Sequence, residues 1–403
     1  MRQADLDERL FLEEATLSKL RLNSPPGGWF PALHKLRWTI AEPNLPFADL
    51  FFSPRLRKVF ISTTLVVGAE VPRDIRPAVA SAISTLPTST LRSLLVDFRY
   101  LKGPWAPFRD SFSSIVLRCG PSLTKFASPI PLSEAAINHL IHLPHLRSWR
   151  IDDPPPNYST LPLPLGFPPL TEFKHGGDAA RGWISLFGRL ATGVSHAQGM
   201  TPLFKTRESM KCLSIINYPS PVIDASFVSP IRIFRNLGHL NVVGRCSYED
   251  IDGQCVFKLN NDDVVKLAMA LSQLEFLRLG HPCSKNTCAT TAACLLPISV
   301  YCVELEMLEI HINTVDIVGD LKGISEDPHF QELRSLPRSK LSRFEPRLTP
   351  LSLDEHGFET VVNGMIDLFP SLEWCEGYGG VWDEVSERIN ELRRTRTFPG
   401  CCR

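Results

Sequence analysis

The sequence predicts an irregular α/β solenoid, with parallel strands forming one curved face and helices lining the outside. Three observations lead there. First, a short phrase recurs about a dozen times: Leu, two polar residues, a second large apolar residue, one variable position, and often a third apolar residue. It reads Leu33-His-Lys-Leu36-Arg-Trp38, Leu146-Arg-Ser-Trp149-Arg-Ile151, Leu237-Gly-His-Leu240-Asn-Val242, Leu274-Glu-Phe-Leu277-Arg-Leu279 and Leu305-Glu-Met-Leu308-Glu-Ile310. Second, the segments between phrases have helical periodicity, and a helical crossover returns the chain in the same direction, which makes the strands parallel. Third, self-similarity at a period of tens of residues means that like units stack in a row.

The first residue of each phrase serves as its anchor: Leu33, Leu56, Leu91, Leu123, Leu146, Leu170, Met210, Leu237, Leu274, Leu305, Leu341 and Leu372. The residue three places on is Leu36, Val59, Leu94, Phe126, Trp149, Phe173, Leu213, Leu240, Leu277, Leu308, Phe344 and Cys375, apolar throughout. Five places on, the pattern breaks at Ser128, His175, Pro346 and Gly377. Helices are expected at 72–86 (Ile75, Val79, Ile83, Leu86), at 132–143 behind Ser133 as a cap, at 261–274 starting from Asn261 or Asp262, and at 354–368 behind Asp354. Residues 1–27, with Leu6, Leu10, Leu17 and Leu20 at helical spacing, are expected to form a helical cap or remnant. The array proper would occupy 28–380, and 381–403 a capping helix (Val381, Val385, Ile389, Leu392) and tail. Proline-rich phrases such as Pro154-Pro155-Pro156 read as loops joining units of unequal length.

Composition narrows the function classes. The 43 basic and 43 acidic side chains cancel, which removes the strong positive field of a general nucleic-acid binder. No apolar run approaches the roughly 20 residues that cross a bilayer. The charged N-terminus does not read as a secretory signal. Eleven cysteines, odd in number and irregularly spaced, suggest reduced thiols and a cytoplasmic or nuclear location. The Asn157-Tyr-Ser159 sequon then carries no meaning.

Alternation along a strand buries the anchor and the residues three and five places on, and leaves the fourth position on the concave face. That row is Arg37, Phe60, Leu95, Ala127, Arg150, Lys174, Ser214, Asn241, Arg278, Glu309, Glu345 and Glu376, turning from basic to acidic along the chain. Its charged members are candidate partner-binding residues, for a partner with an acidic stretch followed by a basic one. Exposed strand positions also tolerate charge without any ligand. Trp374, Tyr378 and Trp382, around Gly377 and Gly379-Gly380, are candidate anchors, or else the seal of the last unit against its cap.

Catalytic and metal chemistry find little support. His281, Cys283, Cys288, Cys294 and Cys302 lack the paired spacing of zinc sites, so buried thiols are expected and no metal or cofactor is assigned. Cys401-Cys402 are followed by Arg403, which fits no prenylation pattern. Asp354-Glu355-His356 sit where a helix begins, as a cap and a dipole partner. No nucleophile elbow, His-Glu-x-x-His pair, Walker loop or dinucleotide fingerprint occurs.

The anchors are spaced from about 23 to about 40 residues apart, averaging near 31, just above the 20–29 of leucine-rich repeats. The phrases, and above all the tail from Leu351 to Leu372, resemble the irregular leucine-rich-repeat region of fungal F-box proteins. The resemblance covers most of the chain from about residue 28 onward. It implies a protein substrate on the concave face, and Skp1 of a cullin ubiquitin ligase as a second partner where a fuller chain carries an F-box. Two departures are visible. The asparagine ladder of regular repeats is missing, with Asn313 almost alone. The nearest F-box candidate, Leu45-Pro46 with Leu50 and Phe52, is cut short by Pro54. The chain therefore reads as a repeat-only relative or a shortened gene product. The expectation is a non-enzymatic interaction module with no nucleic-acid or membrane partner, in the role of ligase substrate receptor. A stand-alone scaffold is the alternative, and an enzyme with a dispersed active site is third.

Overall fold

A computed structural model describes residues 3–6, 14–25, 29–40, 47, 49–63, 81, 83–97, 108–151, 168–176, 187, 207–217, 222–244, 257–280, 288–333, 336–346, 351–377 and 380–397. The chain divides into two compact units, Met1–His175 with Ala197–Thr206, and Gly176–His196 with Arg207–Arg403. Both are α/β, and the strands within each are parallel and lie side by side in chain order.

The first unit holds β1 (Gln3–Leu6), β2 (Lys35–Ile40), β3 (Lys58–Thr63), β4 (Ser93–Asp97), β5 (Lys125–Ser128), β6 (Ser148–Ile151) and β7 (Glu172–Gly176). Its described helices are α1 (Glu14–Leu22), α2 (Arg109–Leu117) and α3 (Glu134–Ile141). The second holds β8 (Cys212–Asn217), β9 (His239–Gly244), β10 (Phe276–Gly280), β11 (Met307–Ile310), β12 (Arg343–Pro346) and β13 (Trp374–Cys375). With them come α4 (Ala225–Val228), α5 (Asn261–Ala270), α6 (Leu295–Tyr301), α7 (Ile317–Glu326), α8 (Pro328–Leu333), α9 (Glu355–Leu368) and α10 (Val381–Thr397).

The recurring phrase explains β2 to β13. All twelve anchors are fully buried, and the residues three places on are buried almost as completely. Removing one such Leu from water contributes on the order of 2 kcal/mol. At nine of the twelve anchors the N–H closes a turn onto the carbonyl three residues earlier, as Leu33 does to Phe30, Leu123 to Gly120, Leu274 to Leu271 and Leu372 to Phe369. One residue further, the carbonyl accepts two bonds from the next repeat. His34 takes the N–H groups of Arg57 and Lys58 at 2.9 and 3.0 Å, and Glu275 those of Glu306 and Met307 at 2.8 and 3.2 Å. The same fork joins the successive anchored phrases within each unit. The Asn313 side chain accepts locally, from the Val315 N–H at 3.0 Å, while its backbone N–H donates to the Thr290 carbonyl at 2.7 Å.

Where the fifth position breaks the apolar rule, the polar side chain is buried and bonded. Ser128 Oγ accepts from the Ile130 N–H at 2.9 Å, and His175 Nδ1 meets the Ile151 carbonyl at 3.2 Å. The predicted caps form at α3 and α9: Ser133 Oγ accepts from Ala136 N at 3.3 Å and Asp354 from Gly357 N at 2.7 Å. At α5 the cap falls one residue earlier than expected, on Asn260, because Asp263 reciprocates to the Asn260 N–H and closes a capping box. In 72–86, Ile83 and Leu86 are buried, and residues 72–80 lie outside the described residues.

The N-terminal segment differs from the helix expected through Leu6 and Leu10. Gln3–Leu6 is strand β1, paired in parallel with Lys35–Trp38, and helix α1 covers Glu14–Leu22. The backbone of β2 would otherwise present a row of open hydrogen-bonding groups, and four residues of any apolar pattern suffice to cover it. In the C-terminal segment, α10 covers Val381–Thr397, and its Ser386 Oγ accepts from the Cys375 N–H at 3.1 Å.

Candidate interaction surface on the strand faces

The predicted row becomes a column in each unit. Register pairing aligns Arg37, Phe60, Leu95, Ala127, Arg150 and Lys174 on β2–β7. It aligns Ser214, Asn241, Arg278, Glu309 and Glu345 on β8–β12, and Glu376 follows as its N–H donates to the Phe344 carbonyl at 3.0 Å. Side-chain alternation puts a second column on the same side, two residues earlier in each strand. In the first unit it is Lys35, Lys58, Ser93, Lys125, Ser148 and Glu172; in the second, Cys212, His239, Phe276, Met307, Arg343 and Trp374. The sequence reading passed over this second column, although the alternation that found the first also specifies it.

The acidic members do not form an open negative patch. Glu309 is 4% exposed and its carboxylate lies 2.8 Å from Arg278 Nε; Glu345 is 7% exposed and lies 2.5 Å from Arg343, which also reaches Glu376 at 3.3 Å. The Arg343 guanidinium stacks 4.1 Å from the Trp374 ring centroid, and His239 stacks on Phe276 at 5.8 Å. The second unit thus presents a column of flat and soft side chains beside a column of mutually neutralised charge.

The first unit is different. Lys35, Arg37, Lys58 and Lys125 are exposed, and Arg37 lies 5.3 Å over the Phe60 ring. On this side Lys174 pairs with Glu172 at 2.8 Å, and Ser148 donates to Glu172 at 2.7 Å. Burial works to raise the Glu172 pKa. The bonds from Lys174 and Ser148, and the positive charges of Lys174 and Lys125, outweigh it and hold the carboxyl below its usual range. The sequence shows the same imbalance: residues 1–175 carry 20 Lys and Arg against 15 Asp and Glu, whereas 207–403 carry 20 against 27. The neutral total had hidden it.

The C-terminal aromatics separate into two roles. Trp382 is fully buried, edge-on to Phe344 at 5.8 Å, with its ring packed against Gly377 so closely that any Cβ there would collide with it. It seals the last repeat. Trp374 is 41% exposed and belongs to the surface column, while Tyr378 lies outside the described residues.

Other candidates stay dispersed. Cys288, Cys294 and Cys302 are buried free thiols, His281 and Cys283 lie outside the described residues, and no metal-ligand cluster occurs among the described residues. A depression of about 300 Å³ beside α4 includes Arg232, Asp263 and Lys266, of which Asp263 is engaged in the α5 cap and Arg232 bonds Ser229. Of the F-box candidate, Leu45-Pro46 lies outside the described residues, Leu50 is buried, and Phe52 meets Trp38 edge-on at 6.2 Å. Among the described residues no helix is long and apolar enough to cross a membrane. Compared with known proteins, the chain matches no family model, and no curated protein matches it either.

Proposed function

We propose that the chain is a protein-interaction module built as a leucine-rich-repeat-like solenoid, and that its strand faces receive the partner. The carrying observation is the pair of registered columns in each unit, which spread charged and aromatic side chains along a sheet instead of converging them in one deep cleft. The basic-to-acidic polarity is narrower than the sequence suggested, because Arg278 and Arg343 occupy the acidic end. Partner binding by charge then rests on the first unit, and binding by aromatic contact on the second. Crosslinking of the chain to proteins it retains in cells tests this: crosslinks should fall on Lys35, Lys58, Lys125 and Lys174, or on Lys211 and Lys340 at the strand starts of the second unit. A distribution favouring the helix lysines Lys19, Lys266 and Lys322 would sink the reading.

Within that role, the resemblance to fungal F-box proteins supports substrate recognition for a Skp1–cullin ubiquitin ligase. The stand-alone scaffold is favoured by one observation, the packing of Leu50 and Phe52 into the repeat itself. Purified Skp1 discriminates: co-elution with the chain supports the ligase role, and failure to co-elute leaves the scaffold.

A further inference from the structure

We infer that the strand face of the first unit binds an extended acidic segment of a partner protein. This rests on the interaction-module reading and names the chemistry of its ligand. Lys35 and Lys58 are direct neighbours in register, Lys125 stands two strands further on beyond Ser93, and Arg37 lies two residues along β2 from Lys35. Arg57 and Arg92, at the starts of β3 and β4, are also exposed. Among the described residues none of Lys35, Arg57, Lys58, Arg92 and Lys125 is ion-paired.

Among the described residues few acids lie on these strands. Glu172 is already held by Lys174 and Ser148, Asp97 ends β4, and Asp5 on β1 stands opposite Arg37 in register. Like charges placed directly opposite one another on neighbouring strands repel, so the lysine column is a feature the isolated sheet does not gain from. A ligand of opposite charge relieves that repulsion and releases the small ions held by the cations.

Spacing defines the shape of the ligand. Neighbouring strands lie about 4.8 Å apart, so β2 to β7 spans roughly 24 Å, or about seven residues of extended polypeptide. Nucleic acid is the weaker match, because single strands are gripped by exposed aromatic rings as well as charge. In these two columns of the first unit the one aromatic is Phe60, half-buried and covered by Arg37.

The test uses the full chain and a fluorescein-labelled oligo-glutamate of about ten residues. Anisotropy is followed at about 50 and about 200 mM salt. An oligo-glutamine of the same length and an oligo-deoxythymidylate serve as competing probes. Oligo-glutamate should bind, more weakly at higher salt, while oligo-glutamine should not. Lys35→Gln/Lys58→Gln/Lys125→Gln should weaken binding about tenfold, whereas Lys19→Gln/Lys266→Gln/Lys322→Gln on helices should leave it unchanged. Circular dichroism melts establish that both triples fold. Absence of oligo-glutamate binding overturns the inference, and so does an equal loss in the helix triple, which would mean a diffuse field. Deoxythymidylate bound at least as tightly through the same lysines would reassign the face to nucleic acid. Failure of the peptide while crosslinks persist on the strand starts of the second unit overturns this inference alone, and loss of both overturns the module reading with it.

Discussion

Gly280, at the end of β10, has a φ of 111°, where a side chain is strained, and a Cβ there would lie 2.6 Å from the His311 Cβ. His311 is fully buried and meets Phe257 edge-on at 6.0 Å, so it has no room to retreat. Gly280→Ala is expected to destabilise the chain by about 2 kcal/mol, read as a lower urea midpoint. Gly323 offers the contrast, since a Cβ there meets nothing, and Gly323→Ala inside α7 should stabilise by a few tenths to about 1 kcal/mol. The Arg278–Glu309 pair gives a second residue-scale expectation. Arg278→Ala takes the arginine away from a nearly buried carboxylate, at a cost of about 2 kcal/mol because Arg278 itself is partly solvated. Arg278→Met/Glu309→Leu should recover most of that loss in a double-mutant cycle. If the double variant is less stable than the single one, the carboxylate is held by something other than the arginine.

Single elements were legible where a side-chain pattern specifies them. Ser133 and Asp354 announce α3 and α9 because a cap followed by helical spacing is a local signal. The Gln3–Leu6 strand carries no such signal. Its pairing with β2 is decided by an exposed backbone edge about thirty residues away, and its leucine spacing fits a helix equally well. The forked carbonyls at the strand starts were invisible for a related reason: they join backbone to backbone, through residues as different as His34, Gly238 and Glu275. Asp354→Ala removes the cap from α9 and should cost about 1 kcal/mol. Trp382→Ala should cost more, about 3 to 5 kcal/mol, since it empties the seal between α10 and Phe344. Hydrogen exchange separates the two, with faster exchange at β13 and α10 in the tryptophan variant and at the first turn of α9 in the aspartate variant.

At the scale of the whole chain, the phrase made the strands and the exposed row readable, because burial repeats every two residues along every strand. The charge partners were not readable: the Arg343–Glu376 contact joins residues on different repeats, and sequence order says nothing about which acid a given arginine will meet. The cysteines show the same division. Buried thiols were expected at Cys288, Cys294 and Cys302 and are found there, while the depth of burial is a property of the packed chain. Desolvation pushes the Cys119, Cys302 and Cys375 thiols from 9.0 up to about 12, with Arg118 partly opposing it at Cys119, and pushes Cys294 higher still. The folded chain therefore keeps protons that the unfolded chain releases above pH 9. This contribution to stability is fully present below that pH and is lost as the pH rises toward 12, at about 1.4 kcal/mol per pH unit for each thiol. Urea midpoints measured at stepped pH should fall accordingly. Cys302→Ala/Cys375→Ala should start lower at pH 7 because two small cavities open, yet decline with a shallower slope above pH 9. Tyrosines and lysines titrate equally in both proteins and cancel in the comparison. Parallel slopes would mean that these two thiols ionise as readily in the folded chain as in the unfolded one, and that the repeats do not exclude water from their cores.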